Sequence, residues 1–164
     1  MKRFLVLFAI FTVSLTSLPC FAISEKQEKA IATNCDSIKT QLKNIQKNDA
    51  RLRVHLGGRY EAILTRYMTP LNMRLIENNL SNAELVENQS SFSETKTMFV
   101  NDYINYQQDL EKLVAIDCKN EPANFYERLE KVRQKRKIVE QDATKLRSLI
   151  SKHLKLVMEL RSKL

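Results

Sequence analysis

Cysteine is the residue type in this 164-residue chain with the most evident chemistry of its own, and it occurs three times. Cys20 lies in an apolar N-terminal stretch, whereas Cys35 and Cys118 lie in charged sequence typical of helices. No CxxC motif and no cluster of cysteine with histidine occurs, so the spacing favours neither a redox centre nor a metal site. The role that we expect for cysteine here is a disulfide bond, which persists in oxidising compartments.

Other side chains that commonly catalyse reactions are not spaced as a reaction would require. The two histidines, His55 and His153, lie on different predicted helices, and His153 takes an apolar seam position where we expect a packing role near the bundle end. Neither a GxSxG turn, a Walker loop nor a GxGxxG loop occurs. We therefore predict a non-enzymatic protein with no cofactor and no metal, and no small-molecule substrate is evident.

The N-terminal stretch MKRFLVLFAIFTVSLTSLPCFA has the layout of a secretory signal peptide. A basic start precedes an apolar run that Pro19 breaks shortly before the small residue Ala22. The run is shorter than the roughly 20 residues that a transmembrane helix needs. We expect cleavage after Ala22, which removes residues 1–22 and leaves one exported domain over 23–164, extracellular, cell-surface or periplasmic. A lipoprotein anchored through Cys20 stays an alternative.

A mature chain without Cys20 retains an even pair of cysteines, and we expect Cys35 and Cys118 to form a disulfide. A bridge that closes so long a loop would stabilise the fold by about 4 kcal/mol in the chain-entropy model. The bridge also constrains the topology, because the Cα atoms of bridged cysteines lie within about 7 Å of each other.

Apolar residues recur at alternating steps of four and three, which is the period of packed helices. One such seam starts at Phe125 and another at Ile31, while residues 82–117 form a third apolar face that Gln89 and Lys96 interrupt. Glycine and proline are scarce, so strands with frequent turns are not expected. The pattern predicts an all-α fold.

The glycine pair Gly57-Gly58 leaves two arrangements open. A loop there gives a four-helix up-and-down bundle, in which the two cysteines would lie about 30 Å apart. A helix that continues to about Met68 gives three helices, roughly 24–68, 82–117 and 123–163, and brings the cysteines to the same height. The expected disulfide therefore favours an elongated antiparallel three-helix bundle of coiled-coil type.

A polar pair is expected in the middle of this bundle. Asp49 and Arg136 each interrupt an apolar seam, and the three-helix register places both at a similar height on parallel helices. A polar pair in a seam mainly fixes register and partner choice and adds little stability. The alternative is that each side chain extends separately to solvent.

Positive charge is concentrated in the last predicted helix. Residues 23–118 carry 12 basic and 13 acidic side chains, whereas residues 119–164 carry 13 basic and 6 acidic. A basic face attracts polyanions, although it can also simply keep a helix soluble. The candidate binding residues are Arg133, Lys135, Lys137, Lys145, Arg147, Lys152 and Lys155, with Arg136 divided between binding and structure.

Four stretches carry a resemblance that spans most of the mature chain: NCDSIK (34–39), NNLS (78–81), NDYINYQQDLEKL (101–113) and DCKNEPANFYERL (117–129). They resemble uncharacterised secreted helical proteins of candidate-phyla bacteria, a likeness that implies export and a helical fold but no activity. In length, leader, basicity and helix content the chain is also similar to Skp-like periplasmic chaperones. Those assemble through a small β-rich N-terminal segment, whereas residues 23–29 here enter charged helical sequence directly.

The sequence thus favours an exported interaction module of the cell envelope or surface. Its basic C-terminal helix would bind an anionic polymer, a membrane surface or an unknown protein. A periplasmic holdase-type chaperone, which grips unfolded clients along an apolar groove, is the alternative, and Gln89 and Lys96 indicate where the bundle could be loosely closed. The salt dependence of binding distinguishes these two hypotheses, because counterion release makes polyanion binding weaken as the salt concentration rises, whereas client binding through apolar surface should not weaken.

Overall fold

The computed structural model describes residues 23–80 and 82–163, which form three long helical arms and contain no strand. The expected signal peptide, residues 1–22, lies outside the described residues. The second arm is helix α4 (Ala83–Ala115) and the third is helix α5 (Pro122–Arg161). The first arm is built from α1 (Glu25–Thr33), α2 (Cys35–Ile63), a π-helical segment (Leu64–Met68) and α3 (Thr69–Glu77). The all-α fold class is confirmed.

The first arm runs past the expected end near Met68 and stops only at Glu77. Pro70 has no amide hydrogen, so it cannot donate the usual α-helical hydrogen bond to the Arg66 carbonyl four residues earlier. A wider, π-helical turn precedes the proline, and in it the Thr69 amide donates to the Leu64 carbonyl five residues earlier. The helix therefore passes the proline, and residues 69–77, which the sequence predicts to be a short helical connection, are part of the arm.

No break occurs at Gly57-Gly58. Both glycines lie inside α2, neither has a positive φ, and a Cβ built on either would meet no atom within 4 Å apart from the adjoining backbone of its own helix. Glycine costs helix stability but does not by itself end a helix. The turn that ends the arm follows Glu77 instead. In it Asn79 has a φ of 57°, and the Leu80 amide donates to the Leu75 carbonyl.

The starts of α1 and α4 are capped by side chains that accept from the first free amides. Ser24 and Gln27 form a reciprocal capping box at α1. For α4 the sequence predicts a capping box from Ser81 to Glu84, of which Ser81 lies outside the described residues, and the N-cap in the structure is Asn82. Its Oδ1 accepts from the amides of Glu84 and Leu85, at 2.9 and 3.2 Å.

The core is divided along the bundle into three clusters of buried side chains. The cluster at the disulfide end contains Cys35, Leu42, Tyr103, Tyr106, Leu110, Leu113, Cys118, Phe125 and Val132. The middle cluster contains Tyr60, Leu64, Met68, Phe92, Phe99 and Leu146, with the Tyr60 ring edge-on to both phenylalanines. The far cluster contains Leu75, Leu85 and Leu156.

Helix α4 is the central element, because it packs along α5 and also against α2. The backbones of α2 and α5 approach each other far less. A groove therefore lies between α2 and α5 in the middle of the molecule, with α4 as its floor.

Candidate functional site: the groove between α2 and α5

Cys35 and Cys118 are buried at one end of the bundle, at disulfide-bonding distance. Their Cα atoms lie 5.5 Å apart, within the range that a bridge requires. Cys35 begins α2 and Cys118 lies in the turn between α4 and α5, so this contact holds the first arm to the loop that joins the other two. The contact sets the relative height of the three arms.

The structure also brings Asp49 and Arg136 together. The Arg136 Nε atom donates to Asp49 Oδ2 at 2.8 Å, and its Nη2 atom donates to Oδ1 at 3.1 Å. Tyr106 of α4 donates its hydroxyl to the same Oδ2, also at 2.8 Å. Burial and this hydrogen bond to a carboxylate raise the pKa of Tyr106. One carboxylate thus receives bonds from the other two arms.

The groove begins beside this pair and has a volume of about 480 Å³. Its apolar lining comes from all three arms: Leu52, Leu56, Phe99, Val139 and Ala143. Leu52 is 54 % exposed although it occupies a seam position of the first arm. The seam predicts a buried residue there, but the separation of α2 from α5 leaves its side chain uncovered.

Two polar groups of the groove have no hydrogen-bond partner among the described residues, namely Tyr103 Oη and Arg53 Nε. The Tyr103 side chain is buried on the floor, and the Arg53 guanidinium lies over its ring, 5.7 Å from the centroid. Burial, together with the charge of Asp49, raises the pKa of Tyr103. Both unpartnered groups can donate a hydrogen bond.

The basic residues predicted to bind polyanions divide into two sets. Three are paired: Arg133 with Glu130, Lys135 with Asp109 at 2.7 Å and Lys155 with Glu159 at 3.7 Å. The Lys135 ammonium lowers the pKa of Asp109, which indicates a favourable contact between α5 and α4. Four have no ion pair in the described part of the chain: Lys137, Lys145, Arg147 and Lys152.

The two residues expected to loosen the bundle, Gln89 and Lys96, both have partners on the first arm. Gln89 accepts from Asn72 and donates to Thr69 at 2.9 Å, while Lys96 pairs with Glu61. The residues that precede them in sequence, Asn88 and Thr95, are buried instead. Asn88 donates to the Leu149 carbonyl at 3.1 Å, and Thr95 donates to that of Ser91 at 2.8 Å.

Sequence reasoning also missed a buried carboxyl group, Asp142 of α5. Burial raises its pKa, and the nearby Asp102 carboxyl of α4 raises it further. The signal was available, because Asp142 lies three residues after Val139 and four before Leu146, on the same helical face as these core residues. His153, in contrast, is buried in the seam as expected, and burial lowers its pKa.

Within residues 23–80 and 82–163, no cluster of three or more potential ligand residues could hold a metal ion. The same residues form no helix with the length and apolar character needed to cross a bilayer. Comparison with protein-family models, with curated proteins and with solved structures found no match to this chain.

Proposed function

We propose that this protein is an exported, non-enzymatic interaction module that binds anionic polymers or membrane surfaces through the outer face of α5. The observation that carries the proposal is a row of three lysines, Lys137, Lys145 and Lys152, that form no ion pair with any residue of 23–80 or 82–163. Spacings of eight and seven residues place them on one side of the helix, about two turns apart. A regularly spaced row of ammonium groups suits a repeating anion.

The surroundings of this row support the proposal. From 131 to 158, α5 carries nine basic residues and only two acidic ones, Glu140 and the buried Asp142. Lys137 and Lys145 border a shallow depression whose other sides are Glu140, Gln141, Thr144 and Ser148. Positive charge in that excess attracts polyanions over a range set by the ionic strength.

The test replaces the row as Lys137→Gln, Lys145→Gln and Lys152→Gln in one variant. The matched control removes the same charge from the first arm, at the exposed Lys26, Lys29 and Lys43. Binding to phosphatidylglycerol vesicles and to duplex DNA, used as a uniform polyanion, is measured over a salt series. We expect the row variant to lower the log–log salt slope for DNA by about one unit per lost contact, and the control to change it little.

Equal losses in the two variants would assign the binding to net charge rather than to this row. Absence of binding to both polyanions at low salt would overturn the proposal. The second candidate, a holdase, is favoured by the exposed apolar side chain of Leu52 in the groove. It predicts suppression of client aggregation that persists at high salt, because apolar contacts are not screened.

A further inference from the structure

The groove between α2 and α5 combines an apolar wall with unused hydrogen-bond donors. Leu52 and Leu56 line one side, and Val139 and Ala143 line the other. A volume of about 480 Å³ lies within the range of small-molecule sites, roughly 300–1,000 Å³. The groove is open to solvent along its length, because the two helices that border it stay apart.

The donors are Tyr103 Oη and Arg53 Nε, both without a partner in the described part of the chain. Tyr103 is only 8 % exposed, so its hydroxyl is a buried polar group whose desolvation no hydrogen bond from residues 23–80 or 82–163 offsets. A bound acceptor that reaches the Tyr103 hydroxyl would relieve that cost, and a second acceptor oxygen could pair with Arg53. The ligand must therefore present an acceptor, and a charged acceptor makes the stronger bond.

The charges that line the groove also favour an anion. Three arginines, Arg53, Arg136 and Arg147, face two carboxylates, Asp49 and Glu140. Asp49 is already held by Arg136 through two hydrogen bonds. The remaining lining carries two guanidinium groups against Glu140, which is a net positive charge.

We propose that this groove binds a single-chain amphiphile with an anionic head group. The head accepts hydrogen bonds from Tyr103 and Arg53, and the chain lies against Leu52, Leu56 and Ala143. The Asp49–Arg136 pair bounds the groove on the side nearer the disulfide. The site does not depend on the lysine row, so the two proposals stand or fail separately.

The experiment is isothermal titration calorimetry of the full mature chain with decanoate below its micelle concentration, at physiological salt. Decan-1-ol has the same chain without the charge, and decyl phosphate tells a phosphate head from a carboxylate. Tyr103→Phe removes only the unpartnered hydroxyl, and Tyr67→Phe removes an exposed one outside this groove as the control. Ala143→Phe fills the groove without changing its charge. Circular dichroism checks that each variant keeps the helical fold.

We expect decanoate or decyl phosphate to bind, and decan-1-ol to bind at least tenfold more weakly. Tyr103→Phe should weaken binding about tenfold, the usual effect of losing one hydrogen bond to a charged acceptor, while Tyr67→Phe leaves it unchanged. Glu140→Gln should strengthen binding, since it removes a lining carboxylate that, unlike Asp49, is not held by Arg136. No binding of either anion at millimolar concentration, equal binding of the alcohol, or equal effects of the two tyrosine variants would each overturn the proposal.

Discussion

Arg136 of α5 donates two hydrogen bonds to the Asp49 carboxylate of α2, across the part of the molecule where these two helices are otherwise separated. The Tyr106 hydroxyl of α4 completes the group at 2.8 Å. The Asp49 side chain is 15 % exposed, whereas that of Arg136 is 57 % exposed. The carboxylate is therefore the buried centre of the contact, and the arginine closes over it from the surface.

Replacing the two partners should show unequal costs. Asp49→Leu should lower the free energy of unfolding by about 2–3 kcal/mol, because it removes charged hydrogen bonds and leaves the Tyr106 hydroxyl without an acceptor. Arg136→Leu should cost about 1 kcal/mol, since its guanidinium is largely solvated. The double variant should lose less than the sum of the two, measured by urea unfolding. Strict additivity would mean that the pair is not coupled.

Tyr106 should make the fold sensitive to alkali. Burial and the bond to Asp49 raise the pKa of its phenol, so the folded state keeps a proton that the unfolded chain releases above about pH 10. The resulting stability is complete below pH 10 and is lost as the pH rises further. Tyr106→Phe should flatten the decline of Tm between pH 9 and 11.5, about 10 being the ordinary pKa. An unchanged decline would place the sensitivity at other groups.

Reduction of Cys35 and Cys118 should destabilise the protein markedly. The two residues are 83 apart in sequence, and closing a loop of that size is worth about 4 kcal/mol in the chain-entropy model. Urea unfolding with and without dithiothreitol measures the difference, and intact mass after alkylation counts the free thiols. The variant with both cysteines replaced by serine should match the reduced protein and show no further effect of the reductant. Free thiols in protein purified without a reductant would contradict the bridge.

Alanine should stabilise the helix at the glycine pair. Beyond the adjoining backbone of the helix, neither position has an atom within 4 Å of a built Cβ, and both have ordinary helical backbone. Gly57→Ala and Gly58→Ala should each raise the free energy of unfolding by up to about 1 kcal/mol, the difference in helix propensity. Thermal unfolding followed by circular dichroism is sufficient to see it. A loss of stability would show that the native protein bends at this point.

Asp142 should weaken the fold at neutral pH. Because burial raises its pKa in the folded state, its contribution is favourable below its ordinary pKa and is lost as the pH rises through the folded value. Asp142→Asn should therefore raise Tm at pH 7 and have little effect at pH 3, where the native carboxyl is also neutral. The control is Glu87→Gln, which makes the same carboxyl-to-amide change at an exposed position of α4 and should leave Tm unchanged at both pH 7 and pH 3. A stabilisation that persists at pH 3 would point to packing instead.

Local pattern was sufficient for the helical class, the cysteine pairing and the heights of the arms. The seams that start at Ile31 and Phe125 mark the faces that must be buried, because side chains three and four residues apart share one side of a helix. Two cysteines that must meet then exclude a register in which they lie far apart. The expectation that Asp49 and Arg136 lie at one height followed from the same reasoning.

Other features depend on three helices packing at once. The π-helical turn before Pro70 lets the first arm continue to Glu77, although proline suggests a break. On α4, Asn88 and Gln89 lie three and four residues after the buried Leu85, and helical periodicity does not choose between them. Contact with the neighbouring arms places Asn88 in the interior. Leu52 remains exposed because α4 holds α2 and α5 apart. Periodicity identifies the face that a helix must bury, whereas the distance between two helices depends on the side chains of the third helix between them.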